Sequence, residues 1–212
     1  MNRHERIIPF FANPDSTHCF QACLRMILKY FLPDKEYSWD ELDILTGKKN
    51  EKFTWRSKAL IELQSIGFEI INWGLFDHSL FVKDPVGYLN KLYGEEKAKI
   101  KIENCDLEYE KQNSELLLEK VKSKITLPSI SDINNILDEG YLVLCNVNSM
   151  VLNNKDGYLG HFILVNAVRN DHIIVHDPGL PPVENRKLSL DLFSKAWEYP
   201  SIEQRNILAL KI

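Results

Sequence analysis

Apolar residues in the first part of the chain recur with the period of an α-helix. Between positions 19 and 31 they are spaced three and four apart, which places them on one helical face. The preceding residues 12–18 are mainly Asn, Pro, Asp, Ser and Thr, which favour turns. A capping box at 38–41 predicts a second, short helix. A third helix is expected over 54–66, with Thr54 as its N-terminal cap.

Further along the chain the pattern becomes strand-like, although 131–139 and 189–197 keep a helical spacing. Runs of β-branched and aromatic residues predict strands at 68–73, 141–147, 161–168, 172–177 and 206–212. The third and fourth of these are separated by a short turn, which predicts an antiparallel hairpin. Because helices come first and strands follow, we expect an α+β fold.

Residues 77–128 differ from the rest in composition. Nineteen of these 52 residues are charged. Leu117, Val121 and Ile125 are spaced four apart and predict an amphipathic helix late in the segment. We interpret 77–128 as a charged, mostly helical insertion in a single domain. A solvated helical hairpin without a functional role is the alternative.

Composition narrows the class of protein. A chain of 212 residues, 44% hydrophobic and 26% charged, is typical of one globular domain. A net charge of −4 indicates no nucleic-acid partner, and no apolar run reaches the roughly 20 residues of a membrane span. The N-terminus lacks the apolar core of a secretory signal. The four cysteines have no C-x-x-C spacing, so we expect free thiols in a reducing cytoplasm. We expect no cofactor.

One of these cysteines, Cys19, lies where a thiol would be activated. It occupies the first turn of the first predicted helix, where free N–H groups and the helix dipole stabilise an anion and lower a thiol's pKa. The thiolate is the nucleophilic form, so Cys19 is a candidate catalytic residue. A small buried apolar residue is the alternative. Cys23, Cys105 and Cys145 are interpreted as structural.

A histidine and an aspartate fall at adjoining ends of the predicted hairpin. His161 begins one strand after Gly160, and Asp177 ends the next, so antiparallel pairing brings them together. A carboxylate beside an imidazole holds one tautomer and stabilises the imidazolium. Each residue also has a simpler interpretation: His161 bonded to a loop carbonyl, and Asp177 capping an Asp-Pro-Gly turn. With Cys19 they follow the papain-like order of nucleophile, base and orienting residue.

Three segments resemble the bacteriocin-processing (double-glycine) cysteine peptidases of papain-like type and their stand-alone relatives. They are Asn13-Pro-Asp-Ser-Thr-His-Cys19-Phe-Gln-Ala-Cys-Leu, Gly160-His161-Phe-Ile-Leu-Val165 and Val175-His-Asp177-Pro178. The resemblance leaves 77–128 outside it. It implies a papain-like fold, with N-terminal helices packed on an antiparallel sheet. It also implies hydrolysis of a peptide or protein substrate, with Cys19 as nucleophile, His161 as general base and Asp177 as orienting residue.

The resemblance also implies an oxyanion-binding role for Asn13. Asn13 stands where the family has a Gln, and its side chain is one methylene shorter. His18 and Phe20 replace the Asp and Gly that usually flank the family's cysteine. Loss of an oxyanion donor costs about 10²–10³ in rate, so these departures concern catalytic efficiency. A catalytically weak or inactive peptide-binding module with the same cleft is therefore the alternative function.

Two further features allow weaker hypotheses. A metal site at His172 and His176 is disfavoured, because residues four apart on a strand are separated by about 13 Å. Residues 180–200 are expected to form a cleft wall. Within it, Arg186 would either meet a substrate carboxylate or, as we prefer, form a structural ion pair.

Overall fold

A computed structural model describes residues 6–49 and 52–212 and shows an α+β fold. The strands in these ranges are β1 (Glu69–Gly74), β2 (Ser123–Lys124), β3 (Leu142–Asn148), β4 (Gly160–Val168), β5 (His172–Asp177), β6 (Val183–Ser189) and β7 (Asn206–Lys211). The α-helices are α1 (Cys19–Phe31), α2 (Trp39–Thr46), α3 (Ser57–Ser65), α4 (His78–Lys83), α5 (Pro85–Tyr93), α6 (Glu95–Glu103), α7 (Leu107–Lys120), α8 (Ile130–Asp138), α9 (Ser149–Leu152) and α10 (Leu190–Trp197). None of these helices is long and apolar enough to cross a membrane.

The seven strands form one mixed sheet in the order β2-β1-β7-β3-β4-β5-β6. Only the β1–β2 pair is parallel among these described strands. The last strand in sequence, β7, lies between β1 and β3 and joins the two parts of the sheet. The predicted antiparallel hairpin of β4 and β5 is confirmed.

The central strands bury side chains on both faces of the sheet. Along β3, Leu142 and Leu144 belong to a core shared with α1, α2 and α3. Val143 and Cys145, which alternate with them, belong to a second core shared with α8 and α10. Alternation along a strand sends successive side chains to opposite faces. This explains why the predicted strands are apolar throughout rather than at every second residue.

Most local predictions are confirmed. Helix α1 has the predicted bounds. Ser38 and Glu41 form the capping box of α2, and the hydroxyl of Ser189 caps α10 by accepting from the N–H of Leu192. These elements depend on residues close in sequence, so their patterns are sufficient to predict them.

Two predicted helix bounds are wrong. Helix α3 begins at Ser57 rather than at 54, and Thr54 does not cap it, because its hydroxyl instead accepts a hydrogen bond from Gln21 Nε2 (3.0 Å). Helix α7 ends at Lys120 rather than continuing to Ile125. Val121 is extended and buried in the core of α1–α3, and the chain then forms β2.

Residues 77–128 fold against the edge of the sheet. They contain α4, α5, α6 and α7, with a small apolar core around Phe81, Leu89 and Ala98. The segment follows β1 directly, and through β2 it returns to pair with the same strand, Ser123 opposite Asn72. Both ends of the segment are therefore held at one strand.

Helix α7 contains a buried acid, Glu110, which is 6% exposed. Burial raises the pKa of Glu110 to about 8, and the nearby carboxylate of Asp106 adds to the rise, although Lys49 opposes it. The folded protein therefore holds this side chain protonated up to a pH at which an unfolded chain has already ionised it.

We expect Glu110→Gln to be more stable than the wild type at pH 9 but not at pH 5. The wild type loses stability as pH rises from the ordinary value of 4.5 towards 8, because ionising a buried carboxyl is unfavourable, whereas glutamine stays neutral. The difference in Tm at pH 9 should be roughly 5 °C, measured by thermal unfolding. Glu119→Gln, exposed on the same helix, is the matched control. An equal difference at both pH values would contradict the assignment.

Candidate active site

Cys19 is the first residue of α1, and the turn before it is tied down by hydrogen bonds. Asn13 Oδ1 accepts from the backbone N–H groups of Asp15 (3.3 Å) and His18 (3.1 Å). The N–H of Asn13 donates to the carbonyl of Pro178 (2.9 Å). The turn before Cys19 is therefore joined to the loop that follows β5, which is far from it in sequence.

Helix α1 lies against the beginning of β4. Phe20 is buried, and its ring centroid lies 4.6 Å from that of Phe162. The thiol of Cys23 donates to the carbonyl of Phe162 (3.5 Å). These contacts place the first residue of the helix beside His161.

His161 and Asp177 meet across the β4–β5 hairpin. His161 Nε2 lies 2.7 Å from Asp177 Oδ1, and both side chains are buried. Asp177 Oδ1 also accepts from the N–H of Gly179 (2.9 Å), and Oδ2 accepts from Arg186 Nη1 (2.7 Å). Both carboxylate oxygens are thus engaged, and the imidazole ring is held in one orientation.

The imidazole of His161 also contacts the nucleophile candidate. Cys19 and His161 each shift the pKa of the other, so the thiol and the imidazole lie close together. Because Nε2 faces Asp177, Nδ1 is the ring nitrogen that remains for Cys19. The structure therefore brings Cys19, His161 and Asp177 into one connected chain of contacts.

Cys19, His161 and Asp177 each shift the pKa values of their neighbours towards the charged forms. Burial alone would raise the pKa of Cys19, but the hydrogen bond and charge of His161 lower it overall. Burial would lower the pKa of His161, but Asp177 and Cys19 raise it to about 10. Burial would raise the pKa of Asp177, but His161 and Arg186 help to lower it to about 2. At neutral pH this arrangement favours a thiolate beside an imidazolium.

The other three cysteines differ from Cys19. Burial raises the pKa of Cys23 and of Cys145, and it raises that of Cys105 to about 11. All three are buried, whereas Cys19 is half-buried and lines a cavity. Cys19 is therefore the thiol whose surroundings favour reaction.

His18, next to Cys19, is occupied on its own side of the turn. Its Nδ1 lies 2.7 Å from Asp15 Oδ2 and its Nε2 lies 3.2 Å from Asp43 Oδ1. His18 thus braces the turn against α2 rather than facing His161.

The structure does not place His172 and His176 as ligands of one metal ion, because the two rings bond to different partners. His172 Nδ1 contacts Asp171 (2.7 Å), whereas His176 Nε2 contacts the carbonyl of Ile8 (3.1 Å). Among residues 6–49 and 52–212, no group of three or more His, Cys, Asp or Glu side chains is placed to hold a metal.

Arg186 forms the structural ion pair that we preferred, and its partner is Asp177. Its strand, β6, was missed, because an edge strand with mostly exposed side chains shows no apolar alternation. Asp177 is therefore bound by a residue whose local sequence pattern gave no indication of this contact.

A cavity of about 210 Å³ lies beside Cys19. Its wall includes Trp55, Arg56, Tyr93, Lys101 and Tyr158. Sequence reasoning did not find this group, since its members are far apart in the chain and belong to no motif. The charged segment 77–128 supplies two of them.

No protein-family model matches this chain, and no curated protein matches it significantly.

We expect Cys19 to be alkylated by iodoacetamide at pH 6 at least about tenfold faster than the other three cysteines, because a larger fraction of it is thiolate. The rate for Cys19 should change little between pH 6 and 8. In His161→Gln the pKa of Cys19 rises, so the rate should climb steeply over this range. Peptide mapping by mass spectrometry measures each site.

His172→Gln is the matched control for this experiment, because its ring contacts Asp171 on another part of the surface. It should keep the wild-type labelling profile. A wild-type rate for Cys19 that rises as for an ordinary thiol with a pKa near 8.5 would contradict the thiolate–imidazolium pair.

Proposed function

We propose that this protein is a papain-like cysteine hydrolase that cleaves a peptide or a related amide through a thioester on Cys19. One observation carries the proposal: the Cys19 thiol, at a helix N-terminus, contacts an imidazole whose other nitrogen is bound by a buried carboxylate. A nucleophile, a base and an orienting group in hydrogen-bonding contact are what nucleophilic amide hydrolysis requires.

In the first half of the reaction, the Cys19 thiolate attacks the carbonyl carbon of the scissile amide. The His161 imidazolium then donates its proton to the departing amine, which leaves a thioester on Cys19. In the second half, His161 accepts a proton from water, and the resulting hydroxide cleaves the thioester. Asp177 stabilises the imidazolium and keeps Nδ1 directed at sulfur throughout.

Asn13 and the start of α1 are the proposed oxyanion donors. Oδ1 of Asn13 accepts two backbone N–H bonds, and Nδ2 has no bonding partner among residues 6–49 and 52–212, so Nδ2 is the proposed donor. The bond from Asn13 N–H to the Pro178 carbonyl ties this turn to the loop that follows Asp177. The backbone N–H of Cys19, in the first turn of a helix, is a second donor.

The fold around these residues supports the papain-like assignment. A helix that begins with the cysteine packs on the antiparallel part of the mixed sheet, which carries the histidine and aspartate, in the order Cys, His, Asp along the chain. We further propose that residues 77–128 are an insertion into this single domain. Both of its ends are held at β1, and its helices have a small core of their own.

We expect Cys19→Ala to lose all hydrolysis of a quenched fluorescent peptide library while keeping the wild-type Tm. The alanine removes the atom that forms the thioester, and the half-buried site leaves packing little changed. Cys105→Ala, which replaces a cysteine that does not line the cavity, is the control and should retain activity. Full activity of Cys19→Ala would disprove the mechanism, and binding of peptides without any turnover by the wild type would favour a peptide-binding module.

Asn13→Asp tests the oxyanion donor separately from the structure of the turn. Aspartate keeps an oxygen for the N–H groups of Asp15 and His18 but replaces the Nδ2 donor. We expect kcat to fall by about 10²–10³ with a small change in KM. A wild-type kcat in Asn13→Asp would remove Asn13 from the site, and Asn13→Ala shows by its Tm how much the turn itself depends on Oδ1.

A further inference from the structure

Two cations in the wall of the Cys19 cavity have no carboxylate partner. Arg56, just before α3, and Lys101, on α6, both line the cavity. Neither takes part in an ion pair among residues 6–49 and 52–212. Burial of an unpaired charge is unfavourable, so a cavity that keeps two is suited to a ligand that supplies the opposite charge.

No carboxylate of the described residues forms an ion pair with Arg56. The side chains whose pKa values its charge lowers are His78 and Tyr93. Burial, with a contribution from Arg56, lowers the pKa of His78 to about 3, so this imidazole is neutral. The guanidinium stays protonated at any physiological pH. It is therefore a positive group in a partly buried wall, without an ion-pair partner in the part of the chain that the structure describes.

Lys101 lies close to the catalytic strand. Its ammonium is 4.4 Å from the ring centroid of Tyr93 and 5.5 Å from that of Tyr158. The Tyr158 hydroxyl lies 3.4 Å from where a Cβ on Gly160 would stand, and Gly160 precedes His161. The side chain of Tyr158 thus lies between the charge of Lys101 and strand β4, which carries His161.

The remaining charges in the cavity wall do not cancel these two. Arg205 is paired with Glu198, and Glu203 is exposed. The wall also contains unused donors: Ser57 Oγ and Gln204 Nε2 are buried and have no hydrogen-bond partner among the described residues. The wall as a whole offers positive charge and N–H or O–H donors.

We propose that this cavity binds a carboxylate of the substrate, so that the enzyme selects peptides or amides that carry an acidic group beside the scissile bond. The proposal rests on the proposed function, since it names the substrate class of the same site. The fork of N–H donors on Arg56 matches the two oxygens of a carboxylate. Trp55 and Tyr93 give the cavity apolar surface for the carbon chain that bears it.

Matched peptides test the preference. In one pair a glutamate beside each possible cleavage position is replaced by glutamine, and in the other a free C-terminus is replaced by an amide. We expect kcat/KM to be at least about tenfold higher for the acid, because a tenfold change corresponds to about 1.4 kcal/mol, which one hydrogen bond to a charged group supplies. Preference for glutamate assigns a side-chain carboxylate, and preference for the free C-terminus assigns a terminal one.

Charge-neutral variants connect this preference to the cavity. Arg56→Gln and Lys101→Gln should each reduce the ratio of acid to amide several-fold. Lys99→Gln, on the outward side of the same helix α6, is the matched control and should keep the wild-type ratio. A wild-type enzyme that cleaves acid and amide equally well would overturn the proposal while leaving the hydrolase function intact.

Binding to Cys19→Ala separates the two proposals when no peptide is cleaved. Isothermal titration of the same peptide pairs should show acid bound at least about tenfold more tightly than amide, with the difference lost in Cys19→Ala/Arg56→Gln. Cys19→Ala/Lys101→Gln gives a second measurement if the Arg56 variant does not fold. Equal affinity for acid and amide would overturn the carboxylate site whatever the outcome for hydrolysis.

Discussion

The buried carboxylate of Asp177 is the charge on which the site depends. A carboxylate leaves water only if hydrogen bonds and opposite charges replace its hydration. Asp177 obtains these from His161 and Gly179 on one oxygen and from Arg186 on the other. Each partner is fixed in turn, so the need to satisfy one charge orders three separate segments.

Arg186 shows how far this ordering extends. Its second terminal nitrogen donates to the carbonyl of Leu152 at the end of α9 (2.6 Å). An edge strand, a short helix and the end of β5 are therefore connected through one guanidinium. Since Arg186 occupies Oδ2, the imidazole binds Oδ1. The orientation of the other ring nitrogen of His161 therefore depends on packing well outside the contacts of His161 itself.

Parts of the structure that depend on neighbours in sequence were predictable. Helix α1 and the meeting of His161 with Asp177 follow from local periodicity and from one short hairpin. The end of α7 was not predictable in this way, because Val121 leaves the helix to fill a core formed by distant helices. Arg56 and Lys101 meet in one cavity only through tertiary packing, and a polar pattern alone gives no reason to connect them. Thr54 likewise does not cap α3, because its hydroxyl bonds to Gln21. Local sequence preference cannot predict this tertiary contact.

The central position of β7 has a consequence for how the protein is made. Among the described strands, β1 and β2 join the rest of the sheet only through β7. During synthesis the two parts of the sheet therefore cannot pair until residues 206–211 have left the ribosome. Contacts such as that of Asn72 with Leu208 close very long loops, so joining the two parts is a late and comparatively slow event. The Leu208 and Leu210 side chains complete the core beneath α1 at the same step, so that the helix beginning with Cys19 gains its final support from the end of the sheet's last strand.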